Sequence, residues 1–273
     1  MKIWYQSGAG YRYHELWEEY GKTLEQQCKA AARPDTEVYV TGVPTLMTER
    51  DRYKSVMYYH SNQTLNNMLR AEAEGYDAVV VGCSFDERVE EGREMLNIPV
   101  VGIGQANLFL ASMFGDQFAI MTCEPHMAQR YNELVAKYGL QFKHLRGPYI
   151  FPISENGLAA ALKNPETVAE GFKAVAKKAV DDGASVIVPV PASIYQMFYK
   201  TNILNSDDLN GAAVLDPVAV VIKFAEMMVD LKKLGIEVSR TLQVSASLGN
   251  ELRDELLRTY APVFKIDAPD FKK

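Results

Sequence analysis

Short apolar runs alternate with longer stretches of helical periodicity along the chain, and near its middle the alternation starts over. Ile3 to Gln6 reads as a buried strand stopped at Ser7-Gly-Ala-Gly10. Leu16, Tyr20, Leu24 and Cys28 then recur at near-helical spacing. Glu37 to Thr41 is the next strand, Thr45 to Tyr53 a polar loop, and Val56 to Glu74 a long helix stopped by Gly75. Asp77 to Gly82 is apolar nearly throughout, as suits a parallel strand covered on both faces. Glu87 to Leu96 reads as helix and Val100 to Ile103 as strand.

The second round repeats the scheme. Phe118 to Thr122 and Val186 to Val188 are strands, as is Ala212 to Leu215. Met127 to Tyr138, Glu166 to Asp182 and Pro217 to Leu234 are helices, the first and last closed by Gly139 and Gly235. Tyr149 to Asn156 and Tyr195 to Asn205 read as loops. The expected fold is α/β: two pseudo-symmetric lobes, each a parallel sheet flanked by helices, with the site in the cleft between them. Residues 1–106 plus 212–273 are assigned to the first lobe and 107–211 to the second. The C-terminal helix is expected to pack back on the first lobe.

The repeat is broken at one informative place. Gly75-Tyr-Asp-Ala-Val-Val-Val-Gly-Cys83-Ser84 and Gly183-Ala-Ser-Val-Ile-Val-Pro-Val-Pro191-Ala192 align on their glycines, which sets Pro191 opposite Cys83. In parallel sheets, ligands bind beyond the carboxyl ends of the strands. The residues at those ends are Gln6, Ser7, Cys83, Ser84, Thr122, Cys123, Pro191, Ala192, Ser193 and Asp216.

Composition narrows the function. With 273 residues, 48% hydrophobic and 23% charged, the chain has ample material for a core. A net charge of −6 without a lysine or arginine cluster argues against nucleic acid and anionic membrane partners. No apolar run approaches the roughly 18 residues that suggest a membrane span. Met-Lys-Ile-Trp-Tyr opens directly into a strand pattern, so no signal peptide is expected. Cysteines at 28, 83 and 123 show neither CxxC nor metal-ligand spacing, and reduced thiols in the cytoplasm are the simplest expectation. Neither GxGxxG nor GxxxxGK[ST] occurs, Gly102-Ile-Gly104 is too short a signal, and no cofactor or metal is expected.

Cys83 sits at a strand-to-helix turn, where a following helix N-terminus favours the thiolate. The other reading is a small buried hydrophobe; the glycine before Cys83 and the polar turn after it favour chemistry. Cys123 takes the place in the second half that Ser7 takes in the first, and His126 stands three residues on. Together they offer an acid/base or nucleophilic pair. A strand-end packing residue beside a solvated histidine is the simpler reading. Cys28 reads as core, and His60 as a minor candidate flanking the cleft.

The run Asp77-Ala-Val-Val-Val-Gly-Cys83-Ser-Phe-Asp86, followed by Ile98-Pro-Val-Val-Gly-Ile-Gly104, resembles the first cysteine motif of the Asp/Glu/hydantoin racemase superfamily. Lys2-Ile-Trp-Tyr-Gln-Ser7, Phe118-Ala-Ile-Met-Thr122 and Leu215-Asp216-Pro217-Val218 resemble the hydantoin racemase branch. The resemblance spans residues 1–240, and the tail from Thr241 resembles nothing assignable. It implies two pseudo-symmetric lobes, a cofactor-free site between them, and a dimer or higher homo-oligomer. It also implies a cysteine from each lobe on opposite faces of an acidic carbon, one removing a proton and the other delivering one. Cys83 matches the first of these. Where hydantoin racemases carry the second, this chain has Pro189-Val-Pro191-Ala-Ser193, and proline supplies neither an acidic proton nor a backbone N–H. The related arylmalonate decarboxylases keep one cysteine in the other lobe, so this chain shows the mirror arrangement.

Two enzyme readings fit a small carbonyl-activated substrate such as a hydantoin or amino-acid derivative. In the first, Cys83 is the acid/base of a racemase, epimerase or one-face decarboxylase, with Cys123, His126 or Ser193 as the second group. In the second, Cys83 is the nucleophile of a hydrolase or lyase acting on an amide, cyclic imide or alkene. A binding protein without turnover is the third reading. Ser7, Ser84 and Thr122 are expected to hydrogen-bond the substrate, Gln6 to orient it, and Asp216 to hold a polar group or a strand end.

Overall fold

The computed structural model describes residues 1–47, 51–203, 209–239 and 247–264. It contains two four-stranded parallel sheets of identical order. The first holds β1 (Lys2–Gln6), β2 (Glu37–Thr41), β3 (Ala78–Val81) and β4 (Val100–Gly102), ordered β2-β1-β3-β4. The second holds β5 (Phe118–Thr122), β6 (Tyr149–Ile150), β7 (Val186–Pro189) and β8 (Ala213–Val214), ordered β6-β5-β7-β8. This matches the two-lobe expectation. The central strands β3, β5 and β7 are buried at every position, which explains sequences that are apolar throughout but for Thr122 at the end of β5.

Helices α1 (Glu18–Ala31), α2 (Lys54–Ala73) and α3 (Val89–Met95) belong to the first round of the chain, and α4 (Ile103–Phe114) joins the two. The second round adds α5 (Pro125–Lys137), α6 (Glu155–Ala161), α7 (Glu166–Asp181) and α8 (Ala192–Thr201). The chain continues into α9 (Pro217–Lys233) and α10 (Gly249–Phe264). The closing helix does return to the first lobe. Leu257 packs with Trp4, Met68 and Val79, while Arg253 donates to Glu72 Oε2 at 2.6 Å and to the Met95 carbonyl at 2.9 Å. No described helix is long and apolar enough to cross a membrane.

Four expectations need correction. Tyr195 to Asn205 is not a loop: α8 runs to Thr201, with Ile194, Met197 and Phe198 buried at i, i+3 and i+4. Residues 204–208 lie outside the described residues, as do 48–50 of the expected Thr45 to Tyr53 loop and 240–246 and 265–273 of the tail. Tyr149 to Asn156 holds a short edge strand and the start of α6 rather than one loop. Strand β8 pairs with β7, so the second sheet extends past the expected boundary at 212. Finally, the helix expected over Glu87 to Leu96 begins at Val89. Asp86 and Arg88 take left-handed conformations first (φ 54° and 67°), and the thiol does not sit on that helix's first turn.

What holds the Cys83 turn is the carboxylate of Asp86. Its Oδ1 accepts from the Gly104 amide at 2.8 Å, and its Oδ2 accepts from the Gln105 amide at 2.6 Å and from Tyr138 Oη at 2.8 Å. The turn is thus fixed to the N-terminus of α4 and to the end of α5 in the second lobe. The approach requires glycine at 104, where a Cβ would lie 2.5 Å from the Ser84 carbonyl oxygen and 2.7 Å from Asp86 Oδ2. Gly104→Ala should therefore destabilise by about 1–3 kcal/mol, since a backbone atom must give way. A urea midpoint lowered at unchanged slope would show it, and an unmoved midpoint would contradict it.

Burial pushes the Asp86 carboxyl up to about 6, against the three hydrogen bonds that favour its ionised form. Between about pH 4 and 6 the folded chain then holds a proton that the unfolded chain has released, so this group's contribution to stability falls as pH rises through that window. The difference is of the order of 3 kcal/mol at 1.36 kcal/mol per pH unit. Asp86→Asn removes it, so the stability of wild type relative to Asp86→Asn should be greater at pH 4 than at pH 7. Equal differences in urea unfolding at the two pH values would contradict the assignment.

Candidate active site

The carboxyl ends of β1 and β3 face the start of α8 across the lobe junction. From the first lobe, Ser7, Gly8, Ala9, Trp17, Tyr20, Asp51, Met57, Cys83, Ser84 and Phe85 line this cleft. From the second come Met127, Tyr131, Glu155, Pro191, Ala192 and Ser193. Of the expected residues, Ser7, Cys83, Ser84, Pro191, Ala192 and Ser193 are therefore brought together.

Cys83 is the half-buried member of the three cysteines; Cys28 and Cys123 are fully buried. Its neighbour is the backbone of Gly8, where a Cβ would stand 3.6 Å from Cys83 Cβ and 3.9 Å from Sγ. The Gly8 carbonyl lies 2.9 Å from His60 Nε2, so His60 anchors this wall. Ser7 Oγ accepts from the Ala9 amide at 3.1 Å and lies 3.1 Å from Tyr20 Oη. Ser84 shares a hydrogen bond with Tyr131, whose phenol burial drives far above its usual range. Tyr131 also feels the charge of both Cys83 and Asp51, which places one ring within electrostatic reach of the two groups.

On the second-lobe side, Pro191 is the N-cap of α8 and follows a cis Val190–Pro191 bond. Helix geometry leaves the first-turn amides of Ala192 and Ser193 without intrahelical acceptors, and the α8 dipole favours negative charge there. A helix start of this kind is a general anion-binding geometry.

Five expected residues are not among those lining the cleft. Gln6 is saturated: its Nε2 donates to the carbonyls of Ser7 and Gly42, and its Oε1 accepts from Trp4 Nε1 and Asn67 Nδ2. It braces β1 rather than orienting a ligand. Cys123 has no exposed surface, its Sγ lies 3.3 Å from Met127 Sδ, and burial pushes its thiol well up. Thr122 faces the same Met127 sulfur at 3.7 Å. Asp216 caps α9 through the amides of Val218 and Ala219 and accepts from Gln27 Nε2. His126 reaches the cleft only through Asp51, with Nε2 at 3.0 Å from Asp51 Oδ2.

Sequence reading missed the two carboxylates, Asp51 and Glu155. A signal was present: Asp51 lies in the connection after β2 and Glu155 in that after β6, which are equivalent places in the repeated strand order. Asp51, Glu124 and His126 form a compact group, with one ligand-type atom from each lying within 4.8 Å of the others. Arg52 Nη2 lies 3.3 Å from Glu124 Oε1 and His126 bonds Asp51, so the group has ion-pair and hydrogen-bond geometry, and no metal is assigned to it. Outside Phe85 and Met57 lies a larger cavity of about 380 Å³. Its charged walls are paired across the lobes: Arg130 with Glu87 at 2.6 Å, Lys54 with Glu133 at 3.4 Å, Lys137 with Glu90 at 3.0 Å.

Known proteins resemble this arrangement. A family model described as Asp/Glu/hydantoin racemase matches residues 18–225. A hydantoin racemase of Pseudomonas sp. (strain NS671) is 30% identical over 220 residues, covering 78% of this chain and 82% of that protein. Two allantoin racemase structures share the fold. That from Klebsiella pneumoniae has a TM-score of 0.67 at 21% identity, covering 90% of this chain and 93% of the other. That from Pseudomonas fluorescens has a TM-score of 0.68 at 20% identity, covering 90% and 97%. With its paired 2-1-3-4 sheets and the match over most of its length, the chain belongs to the Asp/Glu/hydantoin racemase family.

Proposed function

We propose that this chain is a racemase-type enzyme that moves a proton at the acidic ring carbon of a small cyclic ureide of the hydantoin or allantoin kind, with Cys83 as acid/base. The carrying observation is that Cys83 alone of the three cysteines lines the interlobe cleft, which the start of α8 also lines. Such a substrate carries its acidic C–H beside a carbonyl. Removing the proton sends the electron pair into that carbonyl, and the enolate oxygen so formed suits the first-turn amides of α8. The hydroxyls of Ser7 and Ser84 supply further hydrogen bonds at the Cys83 side. The names of the hydantoin and allantoin racemases among its relatives support this substrate class. Because Pro191 faces Cys83 in the repeat, the two faces of the substrate meet different chemistry.

In D₂O, wild type should wash the ring C–H signal out of 5-substituted hydantoins or allantoin, monitored by proton NMR. Cys83→Ala should lose about 10²–10⁴ of that rate, the usual contribution of a general acid/base, at unchanged melting temperature. Undiminished exchange by Cys83→Ala would overturn the assignment.

A further inference from the structure

A proton-transfer site that inverts a carbon needs a carrier on each face, and Pro191 cannot be one. We propose that Asp51 is the second acid/base and that His126 is the positioning residue that reloads it. This rests on the proton-transfer reading of Cys83. Besides Cys83, the titratable side chains among the described lining residues are Tyr20, Tyr131, Asp51 and Glu155. Tyr20 shares its hydroxyl with Ser7, and Tyr131 is engaged with Ser84 in a buried position.

Of the two carboxylates, Asp51 has the fittings of a carrier. It is buried, it lines the cleft, and its Oδ2 is held by His126 Nε2 at 3.0 Å. Its main-chain carbonyl accepts from Arg130 Nη1 at 2.7 Å, so it is fixed against α5, on the second-lobe side. The His126 side chain is 21% exposed, which joins the buried carboxylate to solvent. A carboxylate that gives up a proton each turnover needs such a path. Among the described residues, Glu124, Arg52, Arg130, Tyr131 and Cys123 are charged or titratable groups around the pair.

The Cys83 thiolate takes the ring proton and the C–H electron pair becomes the enolate. The Asp51 carboxylic acid then gives its proton to the opposite face. Protonated His126 returns a proton to the Asp51 carboxylate and takes another from solvent, and the Cys83 thiol releases its own to water. The other enantiomer runs the same steps in reverse.

The test monitors the separate enantiomers of 5-benzylhydantoin, 5-methylhydantoin and allantoin in D₂O by proton NMR and chiral chromatography. Asp51→Asn should lose inversion by about 10²-fold or more, while the enantiomer that presents its C–H to Cys83 still exchanges with retention. His126→Ala should lower kcat at unchanged KM, and added imidazole should restore part of it. Wild-type inversion by Asp51→Asn overturns the proposal. So does loss of inversion in Glu155→Gln with Asp51→Asn spared, or a His126→Ala defect that imidazole does not relieve. Those results leave Cys83 standing; no exchange by wild type on any of the six compounds would instead overturn the proton-transfer reading and this assignment with it.

Discussion

Three hydrogen bonds converge on the buried carboxylate of Asp86, and the geometry of the cleft depends on them. Two come from the first turn of α4 and one from Tyr138 at the end of α5, so one side chain ties the Cys83 turn to both lobes. The turn itself uses two left-handed residues, which a free peptide disfavours. Asp86 offsets that cost by capping a helix packed between α9 and β7. The close approach of the Ser84 carbonyl to Gly104 is the steric record of the same fit.

Helix α5 supplies several second-lobe side chains to this seam. Along its length it offers His126 to Asp51, Arg130 to the Asp51 carbonyl and to Glu87, and Lys137 to Glu90, and Tyr138 at its end reaches Asp86. Arg130 also lies over Phe85, 4.0 Å from the ring centroid, which adds a cation–π contact. The seam positions the two candidate carriers relative to one another: Cys83 through the Asp86 turn and Asp51 through His126 and Arg130. On the proposed reading, a repeated fold acquires unlike chemistry on its two faces, with a thiol in the first half and a carboxylate–imidazole pair to serve where the second half has proline.

The central strands are legible because a buried parallel strand is apolar nearly throughout, and β5 matches the expected Phe118–Thr122 in full; the edge strand β2, exposed at Glu37, matches Glu37–Thr41 through its Val-Tyr-Val run. Helix α4 is hidden for the opposite reason: packed between α9 and β7 it needs little polar face, and its Ile-Gly-Gln-Ala-Asn-Leu start shows no clean periodicity. The Tyr and Gln content of α8 masks its buried Ile194, Met197 and Phe198. Strand-end position correctly brings Ser7, Cys83, Ser84 and Ser193 to the cleft. Gln6 and Thr122 are instead engaged within the fold, because position alone carries no information on where a side chain's hydrogen bonds go, while Asp216 holds the polar group of Gln27 and the start of α9. Asp51 reaches the cleft from a loop whose side-chain partners, His126 and Arg130, are more than 70 residues away in sequence.

In the proposed mechanism the substrate ring lies between the thiol of Cys83 and the carboxylate of Asp51. A crystal structure of the wild-type protein with a 5-ylidene hydantoin, whose flat ring carbon resembles the enolate, tests it most directly. The expected complex has the ring in the cleft, Cys83 Sγ over one face, the Asp51 carboxylate over the other, and a ring carbonyl oxygen at the amides of Ala192 and Ser193. A ring bound outside the cleft, or one with Cys83 and Asp51 on the same face, would contradict it.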